Sequence, residues 1–115
     1  MVMSTDAVLR ALAEPRRRDI LRLLSEGEKA VGRLAEEFDV TRSAVSQHLR
    51  VLQDAGLVAQ RTVGTRHLYR TLPEGLAGLR EFLDETWAAS LDAARRLAES
   101  EADVDDDEEA RRASA

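Results

Sequence analysis

The segment TRSAVSQHLRVLQDAGLV, residues 41–58, constrains the fold more than any other part of the chain. Wound at 100° per residue, it places Ser43, Ser46, Gln47, Arg50 and Asp54 on one side of a helix. Ala44, Val45, Leu52 and Ala55 lie opposite, with Leu49 and Val51 on the flanks. Thr41 suits the N-cap and Gly56 the stop. An ordinary solvated helix face carries long Lys and Glu side chains, whereas this one carries hydroxyls, one Gln and one Arg. Short side chains let a helix backbone come close to base edges, and Gln and Arg have the donors and acceptors to read A and G in a major groove. Asp54 stands at the far end of that face, away from phosphates. The alternative is a polar surface that is merely short-chained.

The surrounding pattern favours the first reading. A shorter helix over 31–38, VGRLAEEF, with Val31, Leu34, Ala35 and Phe38 at three-and-four spacing, precedes it across the brief connection DVT. Further upstream, TDAVLRALA predicts a helix over 5–13. A second helix follows from Pro15, burying Ile20, Leu21 and Leu24 and ending at Gly27. Downstream, LVAQRTV and RHLYRTL flank Gly64-Thr65, which predicts a β-hairpin. Val58, Leu68 and Tyr69 share no single alternation, so either face of that hairpin could be the buried one. Arg61, Arg66, His67 and Arg70 around its tip could meet phosphate. Pro73 opens a last helix to about residue 100, with Leu76, Leu79, Leu83, Trp87, Leu91, Ala94 and Leu97 in one apolar stripe. Residues 101–115 hold 7 acids against 2 bases with little apolar content and are expected to be disordered. The run DVDDDEE there lacks the glycine and closing glutamate of a calcium loop.

Charge is segregated. Residues 1–72 carry 12 Arg and Lys against 9 Asp and Glu, and residues 73–115 carry 5 against 13, so the net charge of −5 is a poor guide to partners. Lys29 is the only lysine; arginine suits bidentate contacts to phosphate or guanine. The 115 residues suggest one domain with a modest core. No apolar run can span a bilayer and no signal-peptide pattern stands at the start, so a cytoplasmic address is expected. There is no cysteine, no P-loop and no dinucleotide fingerprint. Ser46 and His48 stand about 200° apart around their helix and cannot form a nucleophile–base pair, so no enzyme is expected. His48 falls among apolar positions and reads as a half-buried histidine.

LAEPRRRDILRLL, VGRLAEEFDVTRSAVSQHLRVLQDAGLV and GTRHLYR together resemble the winged-helix repressors of the ArsR/SmtB family. The resemblance covers about residues 7–100. It implies a mainly α fold with a small β-hairpin: a winged helix-turn-helix of about five helices and one wing, over residues 1–100. It also implies a homodimer that binds pseudo-palindromic double-stranded DNA, represses transcription and lets go on a signal. The thiol-based sensors of the family carry Cys-x-Cys on the helix matching residues 31–38, where this chain has none. Zinc sensors use histidines on the last helix, where Asp84, Glu85 and Asp92 stand without one. Carboxylates alone make a poor zinc or cobalt site, so the metal-independent type is implied, with no metal and no cofactor.

The residues expected to read or grip DNA are therefore Arg42, Ser43, Ser46, Gln47 and Arg50 on the helix and Thr65, Arg66 and His67 in the wing. Val8, Leu9 and Leu12 of the first helix, with Leu83, Trp87, Leu91 and Ala94 of the last, are expected to pair two subunits. The last stripe is longer than so small a core can cover, although folding over the domain would account for Leu76 and Leu79. Arg16, Arg17 and Arg18 oppose the dipole of the helix they begin. Salt bridges to Glu14 and Asp19, or DNA phosphate, would relieve them. The rival reading is a winged helix used as a protein-interaction or RNA-binding module. The inducer is unknown; a small apolar molecule at the dimer interface is one candidate.

Overall fold

The computed structural model describes residues 4–114. The elements run α1 (Thr5–Ala13), α2 (Pro15–Leu24), β1 (Lys29–Ala30), α3 (Val31–Phe38), α4 (Arg42–Asp54), β2 (Val58–Val63), β3 (Arg66–Thr71), a 3₁₀ turn (Pro73–Leu76) and α5 (Ala77–Ser114). The chain forms two units divided between Arg80 and Glu81, each described by itself.

In the first unit each helix begins where the sequence supplies an acceptor or a proline, α3 excepted. Ser4 Oγ accepts from Ala7 N–H at 3.2 Å, and Thr41 Oγ1 from Ala44 N–H at 3.1 Å. Pro15 occupies the first turn of α2, where its missing N–H costs nothing. Between α3 and α4 the chain reverses at Asp39 in the left-handed region (φ 51°), closed by Val40 N–H to Ala35 O at 3.1 Å. One apolar core joins these elements: Val8 and Ala11 of α1, Ile20 and Leu24 of α2, Leu34 and Ala35 of α3, and Val45, Leu49 and Leu52 of α4 are all buried. Burying the apolar side of α4 in this way leaves its opposite side to solvent.

The guanidinium groups at the start of α2 find partners other than those the sequence suggests. Arg17 donates from Nε to Ala11 O at 2.7 Å and from Nη2 to Arg10 O at 3.0 Å, and Arg18 donates to Leu12 O at 2.7 Å. These are carbonyls of the last turn of α1, which lack intrahelical donors and carry the negative end of its dipole. Arg16 lies over the Phe38 ring, 5.1 Å from its centre, and Asp19 pairs with Arg22 instead. Neither carboxylate near the run pairs with it; the end of α1 takes Arg17 and Arg18, and an aromatic face takes Arg16.

The hairpin forms with a two-residue turn, pairing Val63 with Arg66 and Val58 with Thr71. Gly64 at φ 63° takes the first central position, as a type II′ turn requires. A third strand, β1, adds two residues at the other edge of β3, giving the order β1-β3-β2. The register settles the wing's faces. Val58, Gln60, Thr62, His67, Tyr69 and Thr71 share one side, and Arg61, Leu68 and Arg70 share the other. Val58 and Tyr69, at the base of the first side, are buried.

Leu79, at the start of α5, packs against the core, while Leu76 is 43% exposed. In the second unit α5 continues to Ser114, where composition predicts disorder from residue 101; Ala115 lies outside the described residues. After Gly78 the chain has no Gly or Pro and is rich in Ala, Glu, Leu and Arg, so nothing in its backbone chemistry stops a helix. Among the described residues no helix is long and apolar enough to cross a membrane.

Candidate nucleic-acid interface

The unburied side of α4 presents Ser43, Ser46, Gln47 and Arg50, of which Ser43, Ser46, Gln47 and Arg50 are all exposed. Among the described residues, none of these side chains hydrogen-bonds within the chain. Together with Gln53 and Tyr69 they line a cleft of about 360 Å³ between the helix and the wing face that follows it. A second, larger cleft of about 490 Å³ lies where Arg33 and Arg42, near the starts of α3 and α4, meet Thr65, Arg66 and His67 at the wing tip. The structure thus sorts the eight expected DNA-contacting residues into two groups, one beside each cleft. Half-buried His48 belongs to neither.

The wing is wired internally. Tyr69 donates its hydroxyl hydrogen to Gln60 Oε1 at 3.2 Å, which orients the Gln60 amide so that its Nε2–H₂ faces His67 Nδ1. With Nδ1 accepting, a neutral His67 carries its proton on Nε2, the nitrogen that remains available for an outside acceptor. Thr62 Oγ1 lies 3.3 Å from the same Nδ1. This chain of contacts runs along one face of the hairpin from the helix cleft to the tip. Sequence reading missed Gln60 and Tyr69 as members of the site. The register that a two-residue turn dictates places them opposite each other and would have found them.

Arg61, expected beside phosphate, is committed elsewhere. It makes a two-pronged pair with Glu28, from Nε at 2.8 and 2.9 Å and from Nη2 at 2.6 Å. These hydrogen bonds hold the Glu28 carboxyl below its ordinary range, with desolvation opposing and the charges of Arg61 and Arg70 assisting. The same contacts raise Arg61 further. In contrast, Arg33, Arg42, Arg50 and Arg66 have no carboxylate within salt-bridge distance among the described residues.

Val8 drops out of the expected subunit surface. It is only 1% exposed and belongs to the core of its own chain, because Val8 and Ala11, rather than Val8 and Leu12, face inward from α1. Leu9 is 45% exposed and Leu12 half-buried. Leu83, Trp87, Leu91 and Ala94 are all exposed. Among the described residues no three His, Cys, Asp or Glu side chains gather as a metal site would require.

A core shared by four helices, the fourth with its polar side open, and an antiparallel wing define a winged helix-turn-helix protein. The model of the bacterial regulatory protein family arsR matches residues 14–60, from the start of α2 into β2. The HTH-type transcriptional regulator Rv2034 of Mycobacterium tuberculosis is 47% identical over 100 residues, which cover 87% of this chain and 94% of that one. The arsenical resistance operon repressor of Staphylococcus xylosus is 36% identical over 77 residues, 67% and 74% of the two chains. This chain belongs to the arsR family. Among solved structures, the ArsR-like transcriptional regulator from Rhodococcus sp. RHA1 is similar with a TM-score of 0.64 and 32% identity, over 81% of this chain and 85% of that one. The homodimeric winged helix-turn-helix DNA-binding domain Mb0332 from Mycobacterium bovis is similar with a TM-score of 0.59 and 37% identity, over 71% and 80%. The two curated relatives named are regulators of transcription, not enzymes.

Proposed function

We propose that the chain is a cytoplasmic, sequence-specific transcriptional repressor that binds a pseudo-palindromic operator as a homodimer. The observation that carries this reading is the α4 face: Ser43, Ser46, Gln47 and Arg50 are exposed, without partners among the described residues, and seated beside the wing. On this reading Gln47 and Arg50 read base edges in the major groove, the two serines allow close approach, and Arg42, Thr65, Arg66 and His67 hold the backbone. Two copies are needed because one such helix reads only a few base pairs; a dimer sets two of them about 34 Å apart, one turn of duplex. The exposed side chains of Leu83, Trp87, Leu91 and Ala94, with Leu9 and the half-buried Leu12 of α1, supply apolar surface for pairing copies. The protein is of the metal-independent type, since the chain lacks cysteine and has no histidine on α5.

Fluorescence anisotropy across a salt series tests this directly, with the gene's own upstream DNA against a scrambled duplex. Tight binding to the upstream DNA alone, with two protomers per site, is the expected result. Equal and steeply salt-dependent binding to both would leave only backbone contact. No binding to either would favour the protein-interaction or RNA-binding reading.

A further inference from the structure

The arginines of the first unit divide by what they touch. Arg17 and Arg18 cap α1, Arg16 covers Phe38, Arg22 pairs with Asp19 and Arg61 pairs with Glu28. Arg33, Arg42 and Arg66 have no such engagement among the described residues, yet all three line one cleft of about 490 Å³. His67, set by Gln60, lines it too. Three guanidinium groups lining one cleft without a paired carboxylate repel one another, and an anion would relieve that repulsion. Glu36 is the single carboxylate in the lining and is not within salt-bridge distance of any of them.

Two further features of the cleft suit an anion. The N-cap of α3 is Ala30, which offers no side-chain acceptor, and Val31, Gly32 and Arg33 of that first turn line the cleft. Gly32 also makes room for a cation. A Cβ built there would stand 2.8 Å from Arg42 Nη2 and 3.2 Å from Arg42 Cζ. A methyl group at residue 32 would push the Arg42 guanidinium, the movable end of a flexible side chain, away from the first turn of α3.

We propose that this cleft holds a single phosphate group, with Arg33, Arg42 and Arg66 as its cations and Gly32 as the residue that admits Arg42. Taken with the DNA-binding reading, on which this rests, the group is one backbone phosphate per half-site. The α4 cleft reads bases; this one sets register along the duplex.

The test uses the full chain and a duplex of random sequence, with affinity measured against potassium chloride concentration. Each phosphate that a variant no longer neutralises lowers the slope of log K against log salt by about 0.9. Arg33→Ala and Arg42→Ala should each lower it by less than that amount, because the remaining guanidinium groups still neutralise the shared phosphate. The triple variant Arg33→Ala/Arg42→Ala/Arg66→Ala should release about one phosphate in total. A release near two or three would assign the side chains separate phosphates and overturn the proposal, as would an unchanged slope in a triple variant that folds. Gly32→Ala guards against misfolding as the explanation, since Ala is the better helix former. It should unfold no earlier than the parent yet bind duplex more weakly. Glu36→Gln should tighten binding at low salt. If the parent protein binds no duplex, the DNA reading fails, and inorganic phosphate then decides the cleft by itself. Saturable shifts of the Val31, Gly32 and Arg33 amide signals, absent in the Arg33→Ala/Arg42→Ala protein, would keep it as a site for free phosphate. No shifts in the parent would overturn it.

Discussion

At Gly75, in the turn that follows the wing, an added Cβ would run into the carbonyl oxygen of Gly56 and stand 2.8 Å from its carbonyl carbon. Both atoms are backbone at the end of α4, so neither can swing aside as a side chain would. Gly75→Ala should therefore cost at least about 2 kcal/mol of stability, by the overpacking that a closed core resists. Urea unfolding would measure it, and a change below about 0.5 kcal/mol would show that the turn can shift away. The position has a functional side, since a displaced Gly56 would disturb the join between α4 and β2. Gln60 works at the same scale, setting which nitrogen of His67 is available outward through one amide oriented by Tyr69.

Among the elements, α1 and α2 show how a helix end becomes a partner. The Arg17 and Arg18 guanidinium groups donate to three carbonyls of the last turn of α1, which has nine residues and could not hold its shape alone in water. Arg17→Ala should destabilise the fold by about 1–2 kcal/mol, the scale of hydrogen bonds from a charged donor. Arg17→Lys should recover only part of it, because an ammonium group lacks the fork that spans two carbonyls. Thermal unfolding of the three proteins gives the ordering; equal midpoints would mean that solvent serves those carbonyls as well. The wing is held by a comparable contact, the Arg61–Glu28 pair, which links β2 to the residue just before β1 and withdraws Arg61 from the interface.

For the whole molecule, segregation of charge and of apolar surface separates the two tasks proposed above. The first unit presents unpaired arginines beside α4 and the wing. Residues 81–102 of the second are exposed throughout, including Trp87 at 54%, Leu91 at 57% and Leu97 at 66%. Large apolar side chains at such regular helical spacing mark a surface for another chain. Leu91→Glu should turn a dimer into a monomer in sedimentation equilibrium at micromolar concentration and weaken binding to a two-half-site duplex severalfold or more. A parent protein that sediments as a monomer would refute the pairing.

Much of this was legible along the chain. The limits of α1 and α3, the start of α4 and the two-residue wing turn follow from caps, apolar period and Gly64, all of which act between near neighbours. So does the polar side of α4, because a helix fixes which residues share a face. What escaped depends on contacts between elements. Two residues of β1 carry no period, and they become a strand only because β3 offers an open edge. The reach of α5 to Ser114 defied its composition, since charge reads as disorder while Ala, Glu and Arg favour helix. Val8 and Leu9 are adjacent apolar residues, and only the packing of α1 on α2 and α4 decides which is core. The partners of Arg17, Arg18 and Arg61 are likewise a tertiary matter: a guanidinium reaches several ångströms, and the acceptor it meets is chosen by how the helices and the wing pack. By itself the sequence determined the four helices of the first unit, the wing hairpin and the face that α4 turns outward. Tertiary structure decided which arginines are spent on the fold and which remain to meet an anion.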